Sequence, residues 1–142
     1  MKALCLALAI TVLPVGQTAN GPIAGSWTAK FESRTFIRVE IKTANGAMTG
    51  GISLGSFQVD PQGVVNGAKA APPNLKPIFG ATRKGATVMF FMKDGSDTEQ
   101  FELRVLENGD ADLHFLFDDD DRKEFAAEGV ALPKPIRLTK AG

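Results

Sequence analysis

From Gly25 onward, apolar and polar residues alternate in short runs, and the runs are separated by two-residue turn signals. Trp27, Ala29 and Phe31 make one apolar face, with Ser26, Thr28, Lys30 and Glu32 on the other. Ile37, Val39 and Ile41 repeat the scheme against Arg38, Glu40 and Lys42. Met48, Gly50, Ile52 and Leu54 continue it, followed by Phe57 and Val59. Later come Phe101, Leu103 and Val105, then Ala111, Leu113, Phe115 and Phe117 against Asp112 and His114. A period of two is the strand period, and one dry face against one wet face is the mark of antiparallel sheet. Asn45-Gly46, Asp94-Gly95 and Asn108-Gly109 sit between such runs. These dipeptides accept the positive φ angles that tight hairpins demand. Successive hairpins make a meander, and a meander of about eight strands with an apolar face loses its exposed edges by closing on itself. The expected fold is therefore all-β: an antiparallel up-and-down meander of about eight strands closing into a small barrel.

Two segments depart from the alternation. Ala70 to Pro77 holds Pro72, Pro73 and Pro77 and is expected to be an extended loop, because proline lacks the N–H a ladder needs. Asp118 to Gly129 predicts one short helix near the C-terminus. Asp121 would cap it, Glu124 would reach back, Phe125 would face inward and Gly129 would end it. Pro133 and Pro135 then lead into a last strand, Ile136–Thr139. Val88-Met89-Phe90-Phe91-Met92 is apolar on both faces, so outward Met89 and Phe91 need cover from a loop, the short helix or a partner.

Residues 1–19 have the features of a secretory signal. Lys2 supplies the positive start, Ala3 to Leu13 a short apolar core, and Pro14 and Gly16 break it. That core is shorter than the ~20 residues a membrane-spanning helix needs. The expectation is a single barrel domain over 20–142, secreted or periplasmic, with no membrane span. Cys5, the only cysteine, falls within the signal, so the domain after it has neither disulfide nor thiol ligand. Basic and acidic residues are equal at 16 each, without the basic footprint of a nucleic-acid binder.

Gly25-Ser26-Trp27 at the first strand and Arg137 on the last resemble the calycin pattern of lipocalins and fatty-acid-binding-type barrels. The chain is also similar to small exported bacterial Gly-x-Trp domains of unassigned function. The resemblance implies that Trp27 plugs one end of the barrel and that Arg137 lies across its ring. It further implies a calycin-like interior or mouth that takes a small apolar molecule. The candidate lining is Ile37, Val39, Ile41, Ile52, Leu54, Phe57, Val88, Phe90, Phe101, Leu103, Leu113 and Phe115, with the Pro72-Pro73 loop as a lid.

No catalytic set stands out. Gly51-Ile52-Ser53-Leu54-Gly55 fits the Gly-x-Ser-x-Gly pattern of serine hydrolases, but its flanks lead from strand to strand instead of strand to helix. His114 is the only histidine and is expected to face outward; without thiols it cannot complete a zinc site. Asp118 to Asp121 is either a solvated helix-capping turn or a weak calcium site. No glycine-rich phosphate loop precedes a helix, and no cofactor is expected. The leading expectation is a non-enzymatic barrel that binds a small apolar ligand. The alternative is a protein-interaction module, an exported inhibitor or envelope accessory domain, that meets a partner or a second copy through Met89 and Phe91.

Overall fold

The alternating runs become ten strands and one helix in a computed structural model that describes residues 23–141. The expected signal, residues 1–19, lies outside the described residues. The strands are β1 (Gly25–Phe31), β2 (Arg34–Ala44), β3 (Ala47–Leu54), β4 (Phe57–Val59), β5 (Val65–Ala68), β6 (Lys76–Lys84), β7 (Thr87–Asp94), β8 (Asp97–Val105), β9 (Ala111–Leu116) and β10 (Ile136–Lys140). The helix α1 spans Asp119–Ala127, between β9 and β10.

Eight of the strands close an antiparallel barrel in the order β1-β2-β3-β6-β7-β8-β9-β10, with β10 returning to β1. The meander is thus realised, and β4 and β5 form a separate two-stranded sheet inserted between β3 and β6. The β3–β6 seam is thin, with two residue pairs, Gly51↔Pro77 and Ile52↔Lys76. Two of the residues expected in the proline loop therefore belong to β6. Pro77 is tolerated there because it stands at the start of its strand, where the ladder is shortest.

Antiparallel order sorts the connections between two ends. The β2–β3, β6–β7 and β8–β9 turns and the start of β1 share one end, the floor. Both long insertions, 55–75 and 117–135, leave from the other end, the rim. The interior between them is filled with side chains. Ile37, Val39, Ile52, Val88, Phe90, Phe101, Leu103, Leu113 and Leu138 have no exposed surface at all. Phe90 stacks on Phe101 at 5.5 Å between centroids, and Phe101 meets Phe115 edge-on at 5.3 Å. Phe57, carried by β4, joins Phe115 to Phe36 at 5.7 Å each, so the inserted hairpin packs onto the rim end of the core. Small barrels fill in this way because opposite walls are within side-chain reach.

Trp27 sits near the floor, 1% exposed, and its indole N–H donates to the Ile23 carbonyl at 2.9 Å. The cation over its ring is Lys140, 5.2 Å from the centroid, instead of the expected Arg137. The reason is strand parity. In β10, Ile136 and Leu138 are buried, so Arg137 between them points outward, where it donates to Asp112 at 2.8 Å and lies 3.7 Å from Asp110. Lys140 has the inward parity and is paired directly with Trp27 across β10 and β1.

The helix is also capped one turn earlier than expected. Asp118, extended at φ −82°, accepts the Asp121 backbone N–H at 2.8 Å, which leaves Asp121 inside the first turn. Gly129, at φ +70°, ends the helix as expected. Phe125 is only half-buried and packs on Phe117 at 5.2 Å, and no residue of α1 reaches the core. No helix among the described residues is long and apolar enough to cross a membrane. The barrel is apolar inside and carries Arg38, Glu40, Glu102 and Arg104 outside, the reverse of a lipid-facing barrel wall.

Candidate functional site

Of the twelve residues expected to line a ligand site, nine are in the packed interior: Ile37, Val39, Ile41, Ile52, Val88, Phe90, Phe101, Leu103 and Leu113. Leu54, Phe57 and Phe115 are only partly buried and gather at the rim, packed against that core. Trp27 belongs to the floor, and Arg137 to the outer wall beside Asp110 and Asp112.

The Gly-x-Ser-x-Gly segment has a structural explanation. Ser53 lies on the outer face of β3, 3% exposed, and its hydroxyl donates to the Pro72 carbonyl at 2.6 Å. Its flanking glycines make room for the inserted chain. A Cβ on Gly51 would come within 2.7 Å of the Leu75 Cβ, and one on Gly55 would collide with the Lys69 carbonyl oxygen. His114 is on β9, four strands from β3 in either direction around the barrel, so the two side chains are not brought together. His114 does face outward, opposite Glu102, but it is half-buried and its Nε2 has no hydrogen-bond partner. Among the described residues, no three His, Cys, Asp or Glu side chains converge to hold a metal ion.

The feature that stands apart is the outer wall of β6 to β9 near the rim. Register aligns one row across four strands: Phe79 opposite Phe91, Phe91 opposite Gln100, and Gln100 opposite Leu116. Phe79 is 43% exposed and stacks on Phe91 at 5.7 Å, and Leu116 is 37% exposed. Met89 lies one step toward the floor, where the Gln100 amide rests on its sulfur at 2.7 Å. Sequence reasoning named Met89 and Phe91 but not Phe79. A β-bulge between Phe79 and Thr82 shifts β6 by one residue and places Phe79, not Gly80, opposite Phe91. Gly80, at φ +63°, is needed there, since a Cβ would lie 2.9 Å from the Phe91 ring.

Phe91 also borders a groove of about 830 Å³ between the rim ends of β8 and β9 and the helix α1. Phe91, Phe115, Leu116, Phe117 and Phe125 supply its apolar lining. Asp97, Glu99, Asp118, Asp121 and Glu124 supply its charge, and no Lys or Arg lines it. The helix produces this asymmetry. Asp121, Glu124 and Phe125 fall on one helical face by their spacing of three and four, while Arg122 and Lys123 do not line the groove. Of the acidic run, Asp118 and Asp121 thus reach the groove while Asp119 and Asp120 do not, and Arg122 donates to the Phe117 carbonyl at 3.3 Å.

Glu99 lies among these lining residues. Burial is the main cause that holds its carboxyl above the usual range; Asp94, Asp97 and Asp121 add to it and Lys76 opposes it. A carboxyl with a raised folded-state pKa binds its proton more tightly in the folded than in the unfolded chain, so folding stability falls as pH rises through that pKa. Glu99→Gln is therefore expected to raise the melting temperature at neutral pH. The gain should shrink as pH is lowered through the carboxylate range, a trend that calorimetry at two pH values checks. Compared with known proteins, the chain matches no family model, no curated protein and no solved structure.

Proposed function

We propose that the chain is an exported, non-enzymatic, calycin-like barrel that works as a protein-interaction module through the outer wall carrying Met89 and Phe91. The observation that carries this reading is the row Phe79–Phe91–Leu116, partly exposed on the outer wall of a barrel whose interior is filled. Exposed apolar side chains clustered on one wall, here the Phe79–Phe91 stack with Leu116 beyond Gln100, mark a contact site. Aromatic side chains anchor such contacts well, because they bury a large area at a small cost in rotamer entropy. The filled interior supports this reading over an internal carrier, since a ligand among Phe90, Phe101 and Leu103 would have to displace packed side chains.

A second reading keeps a small apolar ligand but places it at the rim, where Leu54, Phe57 and Phe115 are only partly buried. Native mass spectrometry of the protein isolated from its own host separates the two. The expected result is a heterocomplex or dimer that a Phe79→Ser/Phe91→Ser double variant abolishes. A monomer that carries a small apolar molecule, unchanged by that double variant, would overturn the interaction reading in favour of the rim site.

A further inference from the structure

The groove beneath α1 joins two properties that a general apolar contact does not need. Four phenylalanines stand among its polar lining residues, and its lining charges are of one sign. Five carboxylates border it with no cation among the lining residues. Two cations stand beside it without lining it: Lys76, paired with Asp94 at 2.9 Å, acts on Glu99, and Arg122 donates to the Phe117 carbonyl at 3.3 Å, so five carboxylates outnumber two cations. The helix that forms one wall has no residue buried in the core, and its Phe125 packs on Phe117, which in turn stacks on Phe115 of β9 at 6.4 Å. Its inner face therefore has room for an inserted side chain. A volume of about 830 Å³ falls within the range of pockets that enclose a small molecule or a few side chains.

We infer that this groove takes a cationic amphipathic peptide segment of a protein partner, with apolar side chains on Phe91, Leu116, Phe117 and Phe125 and Lys or Arg side chains against Asp97, Asp121 and Glu124. The inference rests on the outer-wall reading above and specifies its partner chemistry. Five lining carboxylates beside phenylalanine rings favour cations and repel acidic segments, which gives discrimination beyond apolar contact. Aromatic faces add to it, because a Lys or Arg over a ring is attracted by the ring quadrupole. Glu99, raised first by burial and then by Asp94, Asp97 and Asp121 against the opposing Lys76, accords with a site where negative charge exceeds positive.

The probe is a short capped peptide, Lys-Leu-Phe-Lys-Leu-Lys, titrated calorimetrically beside versions with every Lys replaced by Gln or by Glu. The expected result is binding of the Lys peptide alone, weakened at high ionic strength. Asp121→Asn/Glu124→Gln should weaken it about tenfold, as the loss of two facing charges implies. Asp118 is left intact because it caps the helix, and circular dichroism should show α1 unchanged. Phe91→Ser should also remove binding. Equal binding of the Gln peptide, with no effect of Asp121→Asn/Glu124→Gln, would overturn the cationic specificity while leaving the outer-wall reading in place. No binding of any peptide, while the native heterocomplex persists, would overturn the groove as the docking site. Loss of both the heterocomplex and all peptide binding would overturn both readings.

Discussion

Trp27→Ala is expected to destabilise the fold by about 3–5 kcal/mol, the usual cost of deleting a large buried aromatic. Against the roughly 5–15 kcal/mol that holds a domain together, this is a large fraction of the total. The loss has three sources: the ring is 1% exposed, its N–H satisfies the Ile23 carbonyl, and its face receives Lys140. The components can be separated. Lys140→Met retains most of the apolar stem and removes only the cation, so it should cost no more than about 1 kcal/mol. Because Trp27 is the only tryptophan, its fluorescence reports this site alone. Lys140→Met should change its emission, whereas Arg137→Met should leave it untouched. An emission change with Arg137→Met and none with Lys140→Met would refute the assignment of Lys140 as the covering cation.

Phe101→Ala should be comparably severe, at about 3–5 kcal/mol. Phe101 has no exposed surface and joins β7 to β9 through its contacts with Phe90 and Phe115. Truncation would leave a void between two rings that cannot collapse together, because each is held by its own strand of a closed barrel. Aromatic pairs contribute about 0.5–1.5 kcal/mol beyond burial, and this substitution removes two of them. In urea the unfolding midpoint should fall sharply while the slope stays constant, the sign of lost stability with an unchanged transition. Phe79→Ser is the natural contrast. Its ring is 43% exposed and outside the barrel, so folding should be little affected even though the proposed contact is lost. A midpoint shift as large as that of Phe101→Ala would mean that Phe79 supports the fold and is not free for a partner.

Much of the architecture was legible because alternation and turn chemistry are local. Ile37, Val39 and Ile41 point inward for the same reason that Arg38 and Glu40 point outward: successive side chains of a strand leave on opposite faces. The same rule, applied to β10, would have excluded Arg137 as the cover of Trp27, since Ile136 and Leu138 flank it. The calycin resemblance carries a general pattern for the last strand, whereas parity is set by this strand's own residues. Phe79 was missed for a different reason. Counting back from the Lys84-Gly85 turn places Gly80 opposite Phe91, and only the bulge near Gly80 moves Phe79 into that position. The groove was hidden as well. Arg122 and Lys123 separate Asp121 from Glu124 in the chain, and the convergence of those two carboxylates on one groove requires the helix to form and to stand beside β8 and β9.

By itself the sequence determined seven of the eight barrel strands, their inward faces and the closure of the meander, because these depend on a period of two and on which dipeptides tolerate a hairpin; β6 and the separate β4–β5 sheet were not read from it. It also placed the inserted proline segment and the short helix, through the donors that proline lacks and the caps a helix requires. The tertiary structure decided which cation covers Trp27, which ring stacks on Phe91, and that five carboxylates share one groove with aromatic walls. Those depend on register, on a single-residue bulge and on the docking of α1, which bring together residues distant in the chain by small shifts that no local pattern encodes.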